Sequence, residues 1–212
     1  MDTAPRFFCL EGMDGSGKST QINLLLEELG RRGVPAVRIR EPGGTEISEK
    51  IRNLILSPTS AKMSPVTELL LYNAARSQLV HEIISPALVA GKAVVADRFA
   101  WSTIVYQGFG RRLDLVTIEA LLDIAVGAFW PCQTFILDIP VSVFRERAAK
   151  EGRELDRMEQ EKTDFFERVR EGYQFLAQKY PAQITLLDGT RSPITLQKEI
   201  LDRILPLLDD TK

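Results

Sequence analysis

The sequence predicts an α/β fold in which a parallel β-sheet is covered by helices on both faces. Two observations carry this. Short apolar runs of strand length alternate with longer stretches whose apolar residues recur at helical spacing, from one end of the chain to the other. No internal repeat or low-complexity linker interrupts the alternation. Strands separated by helices pair in parallel, because each crossover returns the chain to the same edge of the sheet. A length of 212 residues suits one domain spanning 1–212 with a sizeable core.

The elements follow in order. Residues 6–11 read as the first strand, and 18–31 as a helix whose Ile22, Leu25, Leu26 and Leu29 form one stripe. Gly33 breaks that helix, and 34–40 reads as the second strand. Glu41-Pro42-Gly43-Gly44-Thr45 is a turn, since proline and glycine both interrupt regular structure. Helical patterns cover 46–56 and 65–80, then 81–90 after a break or bend, with Gly91 as the stop. Residues 92–96 form a short buried strand ending at Asp97, and 114–128 a helix. Residues 133–137 form the fourth strand, followed by Asp138, and a helix starts over 141–149. A charged segment, 150–157, precedes a long helix at 159–179, the fifth strand at 183–187 and a terminal helix at 194–208. The prediction is thus a three-layer fold with a five-stranded parallel sheet.

Composition narrows the function. The net charge is -2 with no long basic block, which argues against a nucleic-acid-binding surface. Basic residues cluster locally instead, as a small anionic substrate requires. Cys9 and Cys132 lie far apart, each in or beside a buried strand, which speaks against a disulfide framework or a thiolate metal site. His81 is the sole histidine, so histidine-rich metal chemistry is excluded. The start of the chain lacks the pattern of a signal peptide, and no run reaches membrane-spanning length. The expectation is a cytoplasmic protein without nucleic-acid or membrane partners.

The densest chemical signal is Gly12-Met13-Asp14-Gly15-Ser16-Gly17-Lys18-Ser19-Thr20. It matches GxxxxGK[ST], follows a predicted strand and opens a helix, the order a phosphate-binding P-loop requires. Glycines let the backbone wrap closely around phosphate. Main-chain N–H groups and the helix N-terminus then face the anion. Lys18 reaches the outer phosphates and Ser19 offers an oxygen to Mg²⁺. Glu11, Glu41, Asp97 and Asp138 all fall at or just beyond predicted strand ends, where such folds bind ligands, or else each simply ends its strand. Asp97 is the best second participant at the metal, directly or through water. Asp14 is placed to reach the metal shell or an acceptor sugar, or else to cap the turn.

Phosphoryl transfer needs positioning and charge compensation. Arg98 adjoins Asp97. Tyr72 and Arg76, four residues apart, share a helix face and offer an aromatic plane beside a guanidinium fork; an ordinary surface pair has the same spacing. Arg145, Arg147, Lys150, Arg153 and Arg157 make a basic stretch around Gly152. It reads either as a lid over approximately 146–158 that excludes water, or as a solvated helix-to-helix connection.

The motifs together resemble the thymidylate kinases, more narrowly the bacterial type. They comprise the P-loop, Arg40-Glu41-Pro42-Gly43-Gly44-Thr45, Leu70-Leu71-Tyr72-Asn73-Ala74-Ala75-Arg76, Asp97-Arg98-Phe99-Ala100-Trp101-Ser102-Thr103, and Tyr106-Gln107-Gly108. Glu154-Leu155-Asp156-Arg157-Met158-Glu159 and Phe165-Phe166-Glu167-Arg168-Val169-Arg170 follow. The resemblance runs from residue 6 to about 205 and implies transfer of the ATP γ-phosphoryl group to dTMP with Mg²⁺. It implies that Tyr72 stacks on thymine, Arg76 contacts the pyrimidine and Arg98 grips the acceptor phosphate. Ser102, Tyr106 and Gln107 would shape the thymine and sugar pocket. Glu41 and Pro42 would line the acceptor side, and Arg52 would be a further phosphate contact. Gly15 stands where the eukaryotic type carries a basic residue, so the resemblance assigns that charge to the lid, with Arg153 ahead of Arg147 and Lys150. Arg191 would border adenine. A homodimer is implied too, with Ala120, Leu121, Ile124 and Ala125 dividing between core and partner.

Two other functions fit parts of this pattern. A deoxynucleoside kinase shares the P-loop, the strand-end acid before proline and the arginine-rich lid, but Arg52, Arg76 and Arg98 favour an acceptor that already carries phosphate. A nucleotide-dependent protein-binding switch needs a state-coupled surface, and the chain lacks the guanine-reading Asn-Lys-x-Asp pattern.

Overall fold

A computed structural model of the protein describes residues 6–152 and 154–209. Strands β1 (Phe7–Glu11), β2 (Ala36–Arg40), β3 (Ala93–Asp97), β4 (Gln133–Asp138) and β5 (Ile184–Asp188) form one sheet in the order β2-β3-β1-β4-β5. Every pairing is parallel. Leu10 lies opposite both Asp97 and Phe135, so the ends of β1, β3 and β4 come level at the sheet's carboxyl edge.

The five fully buried residues of β1 show how the layers form. Successive strand side chains point to opposite faces. Phe7 and Cys9 enter one core, and Phe8 and Leu10 the other. The second core is closed by α1 (Lys18–Arg31) and α9 (Pro193–Asp209). Ile22, Leu25 and Leu29 of the predicted stripe pack there against Leu196, Ile200 and Ile204. The first core lies under α3 (Pro65–Leu79), α4 (Ser85–Val89), α5 (Ala100–Thr103), α6 (Leu115–Val126), α7 (Val141–Glu151) and α8 (Thr163–Lys179), while α2 (Glu46–Leu56) packs on α3. Local chemistry sets several helix starts. The Thr45, Ser64 and Asp114 side chains accept from the backbone N–H of Ser48, Thr67 and Thr117 to cap α2, α3 and α6.

Several boundaries differ from the sequence reading. β2 begins at Ala36 and α8 at Thr163, because residues 157–160 form a turn. The expected bend near residue 80 is a π-helical turn, Val80–Ile84, that leads into α4. Pro86 has no N–H to continue an α-helical ladder there. The largest omission is 100–110, where α5 runs into a second π-helical stretch, Ile104–Gly110. This stretch is almost wholly buried, so it has no polar face and no amphipathic period to read. Among the described residues, no helix is long and apolar enough to cross a membrane.

Candidate active site

The glycine loop lies between the end of β1 and the start of α1. Gly12, Gly15 and Gly17 have φ of 129°, 68° and 100°, which glycine alone adopts without strain. At Gly12 a Cβ would stand 2.5 Å from the Leu137 carbonyl oxygen, so the loop also needs glycine to lie against β4. Gly17 caps α1 without a side-chain acceptor, leaving the first N–H groups of the helix directed at the loop. Lys18 is buried, and its Nζ donates to the carbonyls of Gly12 (3.1 Å) and Met13 (2.9 Å). Burial, then the charge of Arg98, lowers the Lys18 pKa from its ordinary value. Met13 is buried in the core beneath the loop. Ser16 Oγ is buried without a hydrogen-bond partner among the described residues. Ser19 Oγ lies 3.3 Å from Asp97 Oδ2, and Thr20 follows on the exposed side of α1. The turn after β5 abuts the loop, since a Cβ on Gly189 would stand 3.3 Å from Ser16 O. Arg191 on that turn is tied to Glu199 at 2.5 Å.

Across from this loop lies a cavity lined by Glu41, Pro42, Arg52, Tyr72, Arg76, Arg98, Ser102, Tyr106 and Gln107, together with Asp14. Its walls come from the end of β2, α2, α3, the end of β3, α5 and the π-helical stretch. Arg76 is fully buried: its guanidinium pairs with Glu41 Oε2 (Nη2, 2.7 Å) and donates to Thr103 Oγ1 (2.9 Å) and Phe99 O (3.2 Å). It is therefore no surface partner of Tyr72. Burial pushes the Glu41 carboxyl up to about 7, against the pull of Arg76. Glu41 Oε1 and Tyr106 Oη are buried without hydrogen-bond partners among the described residues. Arg52 donates to the Pro42 carbonyl at 2.9 Å. Burial raises the phenol pKa of both Tyr72 and Tyr106, so both remain neutral.

Arg98 joins loop and cavity. Its backbone φ is 68°, a left-handed conformation that costs a non-glycine residue about 1–2 kcal/mol. The cost is met by fixed contacts. Arg98 N donates to Leu10 O at 3.0 Å, and Nη2 pairs with Asp14 Oδ1 at 2.9 Å. Nη1 donates to Tyr173 Oη at 3.2 Å, and the guanidinium sits 5.3 Å from the centre of the Tyr106 ring. Beneath it the buried Glu11 accepts from Phe99 N (2.9 Å), Ser102 Oγ (2.6 Å) and Tyr173 Oη (2.9 Å). The last residue of β1 thus holds the first turn of α5 in place. Its position at a strand end marks it in the sequence, but nothing there announces its partner Tyr173.

A second buried carboxylate, Glu68, organises the far side of the cavity. It accepts from Gln107 Nε2 (2.8 Å), Arg111 Nη2 (3.0 Å) and Arg157 Nη2 (2.6 Å). Burial opposes its ionisation, but Arg111, Gln107 and Arg157 hold its pKa below the ordinary value. Arg157 also donates to Ile55 O at 2.6 Å, and Arg145 lies 4.9 Å from the Phe166 ring centre while donating to the carbonyls of Glu159 and Glu161. These two arginines of the basic stretch therefore fasten its ends instead of facing phosphate. Arg147 Nη1 donates to Gly15 O at 2.6 Å, and Lys150 pairs with Glu146 on the surface. Arg153 lies outside the described residues. Phe99, Thr103, Leu56, Asp156 and Met158 complete the cavity wall, and the sequence reading assigned them no role.

A glycine-built anion loop at the carboxyl end of a central parallel strand, bridged by an arginine to an aromatic and arginine-lined pocket, defines a P-loop nucleotide kinase. The thymidylate kinase family profile matches residues 10–200. The chain is 43% identical over 199 residues to the thymidylate kinase of Kosmotoga olearia, covering 94% of this chain and 95% of that one. It is 47% identical over 187 residues to the thymidylate kinase of Alkalilimnicola ehrlichii, covering 88% and 86%. The crystal structure of thymidylate kinase from Ehrlichia chaffeensis superimposes with a TM-score of 0.77 at 32% identity, covering 95% of this chain and 99% of that one. The chain belongs to the thymidylate kinase family.

Proposed function

We propose that the cavity seats dTMP with its phosphate toward Lys18, and that Arg98 carries charge between the two halves of the site. As a member of the thymidylate kinase family the chain is an ATP-dependent dTMP kinase, moving the γ-phosphoryl group of ATP to dTMP and releasing dTDP and ADP. The observation behind the proposed roles is the placement of Arg98: it pairs with Asp14 of the loop and also lines the acceptor cavity. Tyr72 offers a neutral aromatic face to the base, while Arg76, Gln107, Ser102 and Tyr106 bound its edges. Arg52, Glu41 and Pro42 close the acceptor side. Backbone N–H groups of 12–20 and Lys18 hold the donor phosphates, with Arg191 at the adenine border.

Ser19 and Asp97, two hard-oxygen donors side by side, fit Mg²⁺, a cation that keeps several waters and takes oxygens from phosphates. Mg²⁺ would neutralise phosphate charge there, with Asp14 close to its shell. The transfer is in line, and the acceptor phosphate is already anionic, so no strong general base is needed. Lys18, Arg98 and a basic residue of the 146–158 lid compensate the developing charge. Arg153 is assigned that lid role, and loss of activity in Arg147→Ala but not in Arg153→Ala would transfer it. Ile47 and Leu54 on α2, Val66 and Leu70 on α3, and Val116 and Ile124 on α6 expose apolar side chains on adjoining helices. Such a surface fits a homodimer; within α6, Ala120 and Ile124 face outward while Ala125 is buried. Sedimentation as a monomer at micromolar concentration would rule the dimer out. A cytoplasmic location suits the nucleotide substrates. The decisive assay supplies ATP·Mg²⁺ with dTMP, thymidine, dUMP, AMP or CMP. Rapid formation of dTDP is expected, and preferential phosphorylation of thymidine would instead identify a nucleoside kinase.

A further inference from the structure

A second cavity, of about 330 Å³, lies on the other side of α5 and shares no lining residue with the acceptor pocket. Trp101 from α5, Trp130 before β4 and Tyr180 after α8 form its aromatic wall. Trp101 lies 4.8 Å from Trp130 and 5.1 Å from Tyr180 between ring centres, tilted by 55° and 42°. Glu119 and Asp123, four residues apart on α6, present two carboxylates from one helix face. Trp101 is only 4% exposed, and its Nε1–H is buried without an acceptor among the described residues. A buried indole N–H ordinarily finds a partner.

We propose that this cavity is a second ligand site, for a small ammonium compound. Aromatic faces attract cations, and carboxylates reinforce that attraction. The rim already holds one ammonium in this way. Lys179 Nζ lies 5.0 Å from the Tyr180 ring centre and 3.3 Å from Glu119. Asp123, by contrast, is in no ion pair among the described residues, so the site retains an uncompensated carboxylate. None of these residues lines the acceptor cavity or belongs to the glycine loop.

The chain has two tryptophans, and both line this cavity, so their fluorescence reports its occupancy directly. The probe is choline, with dimethylbutanol as its uncharged carbon isostere and sodium chloride at matched ionic strength as reference. Choline is expected to shift the tryptophan emission saturably in the millimolar range, with saturating dTMP present or absent, whereas dimethylbutanol and sodium chloride leave it unchanged. Asp123→Asn, a surface change checked for folding by its thermal midpoint, should weaken the choline response at least about fivefold. No saturable shift in the wild-type chain would overturn the proposal. So would an equal response to dimethylbutanol, an unaltered response in Asp123→Asn, or loss of the response when dTMP saturates the acceptor pocket.

Discussion

The two halves of the site are built differently. The donor loop is one contiguous stretch whose binding groups are mostly backbone, and its buried lysine rests on two neutral carbonyls. The acceptor pocket gathers side chains from six separate parts of the chain, and its central arginine is ion-paired inside the core. Function and stability are therefore separable in the loop and fused in the pocket. Arg76→Met tests this most severely. It leaves the buried Glu41 carboxyl without its counter-charge. Breaking such a pair costs up to about 3–5 kcal/mol, and the loss is largest above about pH 7, where Glu41 would otherwise be ionised. Denaturant unfolding should show that loss, and Arg76→Met with Glu41→Gln should recover much of it. If Arg76→Met unfolded at the wild-type midpoint, the pocket would not be part of the structural frame.

Lys18→Met probes the opposite half. Removing one charged donor from a preorganised phosphate site lowers kcat by about 10²–10³. The aliphatic stem is retained and no carboxylate loses a partner, so the unfolding midpoint should stay close to wild type. Normal turnover in Lys18→Met would remove the lysine from the transfer step. Tyr72→Ala has a smaller expected effect, confined to one ligand. Stacking on a base contributes about 1–3 kcal/mol, so KM for dTMP should rise about tenfold while KM for ATP and kcat change little. An unchanged KM for dTMP would deny the stacking role.

The same contrast decides what the sequence reveals. The loop is legible because its constraint is local: glycine at positive φ, a lysine and a hydroxyl at fixed spacing, a strand before and a helix after. The sheet is legible for a similar reason, since β1, β3 and β4 are continuous apolar runs. The pocket has no such signature. The residues single out Arg98 beside a strand-end acid and leave Tyr72 and Arg76 equally readable as a surface pair; the family resemblance supplies their roles and adds Gln107. Helical residues 100–110 escaped notice because burial on every side erases periodicity. The basic stretch reads as a lid or a solvated connection, and the anchoring of its ends by Arg145 and Arg157 stays hidden because charge in a sequence does not disclose a buried partner: Glu68 lies 89 positions before Arg157.

Glu41 and Glu68, buried carboxylates on opposite sides of the pocket, give the finest test of this difference. Glu41 faces one arginine, and burial prevails, raising its folded pKa from the ordinary 4.5 to about 7. The folded chain then binds a proton more tightly than the unfolded chain, so this group's contribution to stability falls as pH rises from about 4.5 to about 7. Glu68 faces Arg111, Arg157 and Gln107, and its folded pKa lies below the ordinary value. Its contribution is fully present above the unfolded pKa and is lost as pH falls through the folded one. Glu41→Gln should flatten the decline in unfolding free energy between about pH 4.5 and 7, and Glu68→Gln should flatten the loss on the acid side of 4.5. Equilibrium denaturation across pH separates the two slopes. If both substitutions altered the same limb, the number of arginines around each carboxylate would not be what sets its ionisation.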